Sequence, residues 1–256
     1  QVEATAAYSL RSMHLAASNG FAGGYSRSST SLSAVAFTGQ GTRMQRDYAG
    51  EYRTHAADMP AAEAIGQLAA ARTLERAGSV KPPTGSYPVV YDERVASSLI
   101  GHLLSAINGA SIARGSSWAR DLLGKQVLPA GLSLVEDPHR TRTSASRPFD
   151  AEGLPTARRS IVEGGVLDLS TARKLGMPST GNAARGTSAP PSPSTTNIDL
   201  TQGRFSRADL LAQMGTGLLI TSMIGSTISP TTGDYSRGAS GFWVEGGKIL
   251  HPVHEC

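Results

Sequence analysis

The stretch "SVKPPTGS", residues 79–86, constrains this chain more than any other. Two adjacent prolines lock φ and remove two backbone donors, and the glycine after them adds turn freedom, so neither a helix nor a central strand can run through it. Whatever precedes must complete its own elements, and whatever follows must start afresh. A boundary is therefore expected here, with one piece at residues 1–82 and a second at 83–256.

The two pieces carry different periodicities. Residues 1–57 read as strands. "VEATAAYSLRS" alternates, "SNGFAGG" is a turn cluster, "SLSAVAF" is β-like and "TGQGT" breaks the run again. From Pro60 to Ala77 the spacing becomes helical, with Asp58 placed to cap, Pro60 in the first turn and Gly78 at the stop. The second piece opens with the short strand "YPVVY" and passes directly into a helix that Asp92 can cap, Glu93 favouring its first turn. "GKQVLP" and "LSLVED" read as short extended pieces, and "RSIVEGGVL" as a hairpin turned at Gly164-Gly165. Residues 179–197 are rich in Ser, Pro, Gly and Thr and are expected to form a long loop. "SRADLLAQM" is a helix stopping near Gly215 or Gly217 before a strand, and "GFWVEGGKILHPV" is a hairpin turning at Glu245–Lys248. This mixture predicts an α+β protein, a strand-rich N-terminal α/β piece followed by a domain of mixed or antiparallel sheet with helices.

Composition narrows the function classes. The net charge is +4 over 256 residues and only 17% are charged. The basic residues are scattered apart from "HRTRTSASR", with no stripe interleaved with aromatics, so direct nucleic-acid binding is not expected. The longest nearly apolar run, "GTGLLITSMIG", is too short and interrupted to span a bilayer, and no membrane association is expected. Cys256 is the single cysteine, which rules out an internal disulfide and agrees with a cytoplasmic location. Gln1 opens directly in a β-like pattern and "KILHPVHEC" ends partway through another, as expected of a fragment of a longer chain.

The motifs of common chemistries are missing: there is no G-x-S-x-G, no phosphate-binding G-x-x-x-x-G-K-[ST], no complete dinucleotide fingerprint and no H-E-x-x-H. "HPVHEC" gathers His251, His254, Glu255 and Cys256, yet on a strand residues three apart face opposite sides and Pro252 opposes a helix, so no metal site is expected there. Asp150 and Glu152 sit in a glycine-containing turn, where carboxylates bond backbone amides more often than they perform acid–base work. In "TGDYSRGASGFW", the polar run Gly233, Asp234, Tyr235, Ser236, Arg237, Gly238 precedes a strongly apolar strand. Such a loop brings backbone close to a ligand and Arg237 could hold a carboxylate, while a plain turn with Asp234 on nearby amides reads equally well.

"ASSLIGHLLSAING", residues 96–109, places His102 among Leu99, Ile100, Leu103, Leu104 and Ile107 at helical spacing, with Ser97 and Ser98 about a turn earlier. From the residues alone, His102 is a packed core histidine, an acid–base group or a metal ligand.

Several segments together resemble the TldD/PmbA family in its PmbA (TldE) branch: "SNGFAGGYSRSS", "RDYAG", "SSLIGHLLSAINGASIAR", "LLGKQVLP", "RPFDAEGLPT", "ARKLGMPSTG", "MGTGLLIT" and above all "TGDYSRGASGFWVEGGKI" followed by "PVHE". The likeness covers nearly the whole chain, although the family's beginning and the strands after "PVHE" are missing and the stretch between Leu167 and Asp168 looks short. The resemblance implies a two-domain α+β protein that works as one half of a TldD–TldE pair, enclosing a cavity in which unfolded polypeptide is cleaved. A TldD-type catalytic subunit then supplies the zinc through H-E-x-x-x-H, where two helical imidazoles hold the metal beside a general-base carboxylate.

Laid on this chain, that motif becomes Ser97-Ser98-Leu99-Ile100-Gly101-His102. Only its last histidine survives, and serine hydroxyls are poor zinc ligands and cannot replace a carboxylate base. The expectation is therefore no catalytic residue, metal or cofactor in this chain, zinc in the partner, and a peptide-binding role for Gly233–Gly238. The alternatives are a non-catalytic peptide-binding or scaffold protein acting without a protease partner, and an enzyme using residues outside these motifs.

Overall fold

The structure is a computed structural model that describes residues 1–167, 181–184 and 191–256. The short stretch at Leu167–Asp168 and parts of the 179–197 segment lie at or outside the limits of those residues.

The alternating sequence at the start forms an antiparallel sheet of β1 (Val2–Ala16), β2 (Ala22–Thr38) and β3 (Gln45–Arg53), in that order. Most of the β1–β2 ribbon faces solvent. At the β3 end, Ala34, Ala36 and Ala49 share one face and are buried with Ile65 and Ala69 of α1 (Ala62–Glu75). Methyl-sized side chains on both surfaces let the helix lie close to the sheet. Thr73 closes the contact: it is 2% exposed, its hydroxyl donates to the Ala69 carbonyl one turn back at 2.8 Å, and it accepts the Asp47 N–H at 3.1 Å.

The helix begins later than its sequence suggests. Ala61 stands at the N-cap with no side-chain bond, and Asp58 lies in a preceding 3₁₀ turn. Its carboxylate accepts instead from Arg142, with Nε at 2.8 Å, because a guanidinium offers a charged fork where a helix end offers single amides. The C-terminal stop is as expected, Gly78 taking φ +73°.

The 79–86 segment is tied down rather than free. The Val80 N–H donates to the Pro252 carbonyl at 3.2 Å, and the Val80 carbonyl accepts the His254 N–H at 3.1 Å. Beyond it the elements are β4 (Val89–Tyr91), α2 (Glu93–Ala106), α3 (Gly109–Ala113), β5 (Leu134–Glu136), β6 (Arg159–Glu163), β7 (Val166–Leu167), β8 (Ala183–Ala184), β9 (Ser192–Pro193), β10 (Ile198–Leu200), α4 (Arg207–Met214), β11 (Gly217–Ile228), β12 (Tyr235–Glu245) and β13 (Lys248–Val253). One sheet runs β13-β12-β11-β4, antiparallel except that β4 lies parallel to β11; a second, fully antiparallel, runs β10-β5-β6-β7. The chain is α+β.

Both expected hairpins form, with Gly164-Gly165 and Gly246-Gly247 at φ between +55° and +87°, the backbone a two-residue turn demands. "GKQVLP" is less extended than expected: the Val127 and Leu128 amides both donate to the Gly165 carbonyl, leaving one bridge at Gln126. Within the expected 179–197 loop, β8 and β9 pair as a small antiparallel ladder. α2 and α3 form one 21-residue segment long and apolar enough, by length and composition, to cross a membrane. Three of its residues, Leu103, Ala106 and Ile107, pack against Leu134, Ile161 and Val162 of the second sheet, and Asn108 breaks it by capping α3.

β11 and β12 approach closely at Gly241, where a Cβ would sit 1.9 Å from the Leu219 carbonyl oxygen. Gly241→Ala is expected to cost on the order of 3 kcal/mol by forcing these strands apart, read as a lower urea midpoint with an unchanged slope.

Candidate functional site

Two parts of the molecule that are far apart in sequence meet along α2. The first turn of the helix is set by Asp92, whose Oδ1 accepts the Arg94 N–H at 3.2 Å and the Arg94 Nε at 2.8 Å. The Asp92 N–H donates to the Ile220 carbonyl at 2.9 Å, which ties the helix start to β11. One face of α2 enters the core; Ser98 and His102, a turn apart, belong to the face that meets β11 and β12.

The glycine-bounded run sits opposite. Its turn is closed by Ser229 N–H to Asp234 carbonyl and Gly233 N–H to Ser229 carbonyl, both 2.9 Å. Gly233 takes φ +83°, and a Cβ there would lie 3.1 Å from the Trp118 ring. The Asp234 carboxylate accepts the Thr232 hydroxyl at 2.6 Å, so Asp234 serves the turn, though through a hydroxyl rather than the expected amides. Tyr235 lies edge-on to the His102 ring, centroids 5.6 Å apart, with its hydroxyl donating to Met223 Sδ at 3.4 Å. Ser236 and Gly238 are exposed, while Arg237 is half-buried, in a register irregularity between the Gly238–Ile224 and Ser236–Thr227 pairs.

Arg237 and Ser98 line one cavity of about 560 Å³, walled by β3, the end of α1, the start of α2 and Thr221–Ile224 of β11. Its charged floor is Asp47, which is buried and pairs with Arg94 at 3.3 Å and Arg76 at 3.5 Å. The structure thus brings His102 against Tyr235, and Ser98 and Arg237 to one cavity. Ser97 points away into solvent.

The positions onto which the resemblance lays the zinc motif do not fit a zinc ion. The Ser98 hydroxyl donates to its own helix at the Val95 carbonyl, 2.7 Å away, and Ser97 is exposed. His102 Nε2 is buried without a hydrogen-bond partner, but one imidazole beside a phenol ring provides neither the three protein donors nor the carboxylate base that a catalytic zinc needs. Elsewhere, Asp150 accepts three backbone amides, from Glu152, Leu154 and Ala183 at 2.9 to 3.0 Å, which makes it a turn residue. His251 lies on β13 opposite Trp243 and His254 beyond the strand's end, its N–H on the linker. Among the described residues no three His, Cys, Asp or Glu side chains are grouped to hold a metal.

Of the cavity residues, Arg76 and Arg94 lie in no motif, and Asp47 in "RDYAG" and Thr221 in "MGTGLLIT" carry no role from the sequence. One signal was available: Asp47 alternates with Ala49 on the buried face of β3, and a charge on the inward face of a strand requires a partner.

Burial would raise the Asp92 carboxyl, but the Arg94 hydrogen bonds and the Arg94 and Arg207 charges outweigh it and hold it below the ordinary value of 3.8. A carboxylate depressed by folding stabilises above its unfolded pKa and loses that contribution as pH falls through its folded one. Asp92→Asn is therefore expected to lower stability by about 1 kcal/mol at neutral pH, a gap that closes under acid, measured by urea unfolding at a series of pH values.

Comparison with known proteins places this geometry among relatives. The description "PmbA/TldA metallopeptidase central domain" matches residues 1–77, and "PmbA/TldA metallopeptidase C-terminal domain" matches residues 84–256. The chain is 40% identical to Metalloprotease PmbA of Escherichia coli O157:H7 and to a Metalloprotease PmbA homolog of Haemophilus influenzae, each over 93% of this chain. It spans about half of those relatives, 52% of each. A crystal structure of a candidate modulator of DNA gyrase from Bacteroides thetaiotaomicron superposes with TM-score 0.89 at 29% identity, covering 99% of this chain and 57% of that one. TldE from Thermococcus kodakarensis shares the fold, with TM-score 0.82 at 16% identity over 98% of this chain and 58% of that one.

Proposed function

The chain belongs to the PmbA/TldD metallopeptidase family, on its PmbA branch, and from that premise we propose that it serves as the non-catalytic half of a TldD–TldE-type zinc peptidase that cleaves unfolded polypeptide. In this reading a TldD-type partner holds the zinc, and this chain supplies a wall of the cavity and part of the peptide path.

What supports the proposal is that the helix onto which the resemblance lays the zinc motif carries no donor set and borders an open groove. β4 pairs with β11 only from Leu218 to Ile220. From Thr221 onward, no strand among the described residues occupies that side of β11. The backbone edge at Thr221–Ile224 lines the cavity, where an extended peptide can dock as an added strand without regard to its side chains. Such sequence tolerance suits an unfolded substrate. Arg237 lines the same cavity from β12, across β11 from that edge, and Tyr235 beside it reaches Met223 of β11, so both are placed to contact a peptide held there.

The test is reconstitution with a TldD-type protein bearing an intact H-E-x-x-x-H. The pair is expected to cleave an unfolded substrate in a chelator-sensitive manner while this chain alone does not; chelator-sensitive cleavage by this chain alone would overturn the proposal. Replacing Tyr235 and Arg237 together by Ala is expected to lower turnover about tenfold or more, with the pair still co-eluting on size exclusion; unchanged turnover would remove these residues from the peptide path. His102→Gln is expected to leave the zinc content of the pair unchanged, measured by metal analysis.

A further inference from the structure

Arg237 is half-buried in the wall of this cavity, and its guanidinium makes no hydrogen bond to any described residue. Arg76 lines the same cavity and is engaged through Nη1 on Asp47. A half-buried donor left without an acceptor is costly, so an acceptor entering the cavity is stabilised there. A guanidinium can only donate, through several N–H groups in one plane, so the complementary group accepts several hydrogen bonds at once.

Charge narrows it further. Asp47 is shared by Arg76 and Arg94, and Asp92 binds Arg94, with the exposed Arg207 at 3.5 Å from its other oxygen. Arg237 has no carboxylate partner among the described residues, and Arg46 on the exposed rim adds positive charge. The half-buried wall is therefore left with an uncompensated cation. A carboxylate meets each requirement: one negative charge, two oxygens with about four acceptor positions, and a planar edge matched to a guanidinium fork. The 560 Å³ volume admits an amino-acid residue rather than a lone ion.

We propose that this cavity is a carboxylate subsite, in which Arg237, with Arg76 lining the same cavity, binds a carboxylate of the docked polypeptide. The identity of the carboxylate's owner rests on the peptide-groove reading above; the anion site itself does not. The carboxylate comes either from the peptide's C-terminus or from an acidic side chain, and both would be held at the end of the open β11 edge, which fixes the register of the peptide.

The experiment compares three fluorescent, unstructured peptides on the full chain by anisotropy: a free acid, its C-terminal amide, and that amide carrying one internal Glu. The free acid is expected to bind about tenfold tighter than the plain amide, a preference that Arg237→Gln abolishes and Arg237→Lys partly keeps. Recovery of affinity by the Glu-bearing amide supports the subsite and assigns it to side chains; its failure assigns it to the C-terminus. Equal binding of all three peptides, or a preference that survives Arg237→Gln, overturns the proposal. In parallel, acetate is expected to raise the melting temperature of the wild-type chain and not of Arg237→Gln. That shift without any peptide binding would uphold the anion site and overturn the peptide groove; neither shift nor binding would overturn both.

Discussion

One carboxylate organises the site. Asp47, on the inward face of β3, is reached by Arg76 from the end of α1 and by Arg94 from the first turn of α2, so it joins the sheet before the proline segment to the helix after it. The cost of burying these charges is offset by their pairing, and removing the acid would strand Arg76 and leave Arg94 on Asp92 alone. Asp47 is held in turn: its N–H is bound by Thr73, which locks α1 onto β3, and its Oδ1 accepts the Tyr48 amide at 2.7 Å. The cavity and the orientation of α2 both follow from where this carboxylate is pinned.

α2 then works on two sides. Leu103, Ala106 and Ile107 satisfy the core, which needs only apolar volume at the right spacing. The Ser98–His102 side is released from that demand and faces β11 and β12. The helix is held by the packing of its core face, which needs no ligation. His102 remains as a ring against Tyr235, an aromatic contact in which its nitrogens are secondary.

Local chemistry in the sequence was readable wherever the partner lies within a few residues. Asp92 caps α2, Gly78 stops α1, Gly164-Gly165 and Gly246-Gly247 turn their hairpins, and Asp150 collects nearby amides, because each depends on bonds made within one turn of chain, Asp150 adding the Ala183 amide. Asp58 was misread for the complementary reason: its stronger partner, Arg142, is 84 positions away and no local rule points to it. The same holds for Asp47 and Arg94, 47 positions apart. The residues of the glycine-bounded run were visible as a group, yet their separate duties were not: Gly233 and Asp234 build the turn, and Tyr235 and Arg237 reach across to other elements.

By itself the sequence determined the strand and helix periods, the break at 79–86 and the tight turns, since these depend on residue type and short-range spacing. Only the tertiary structure decided which charges are buried together and which donors are left over. Desolvation and ion pairing are properties of the space between elements, and that space exists only when β3, α2 and β11 have closed around it.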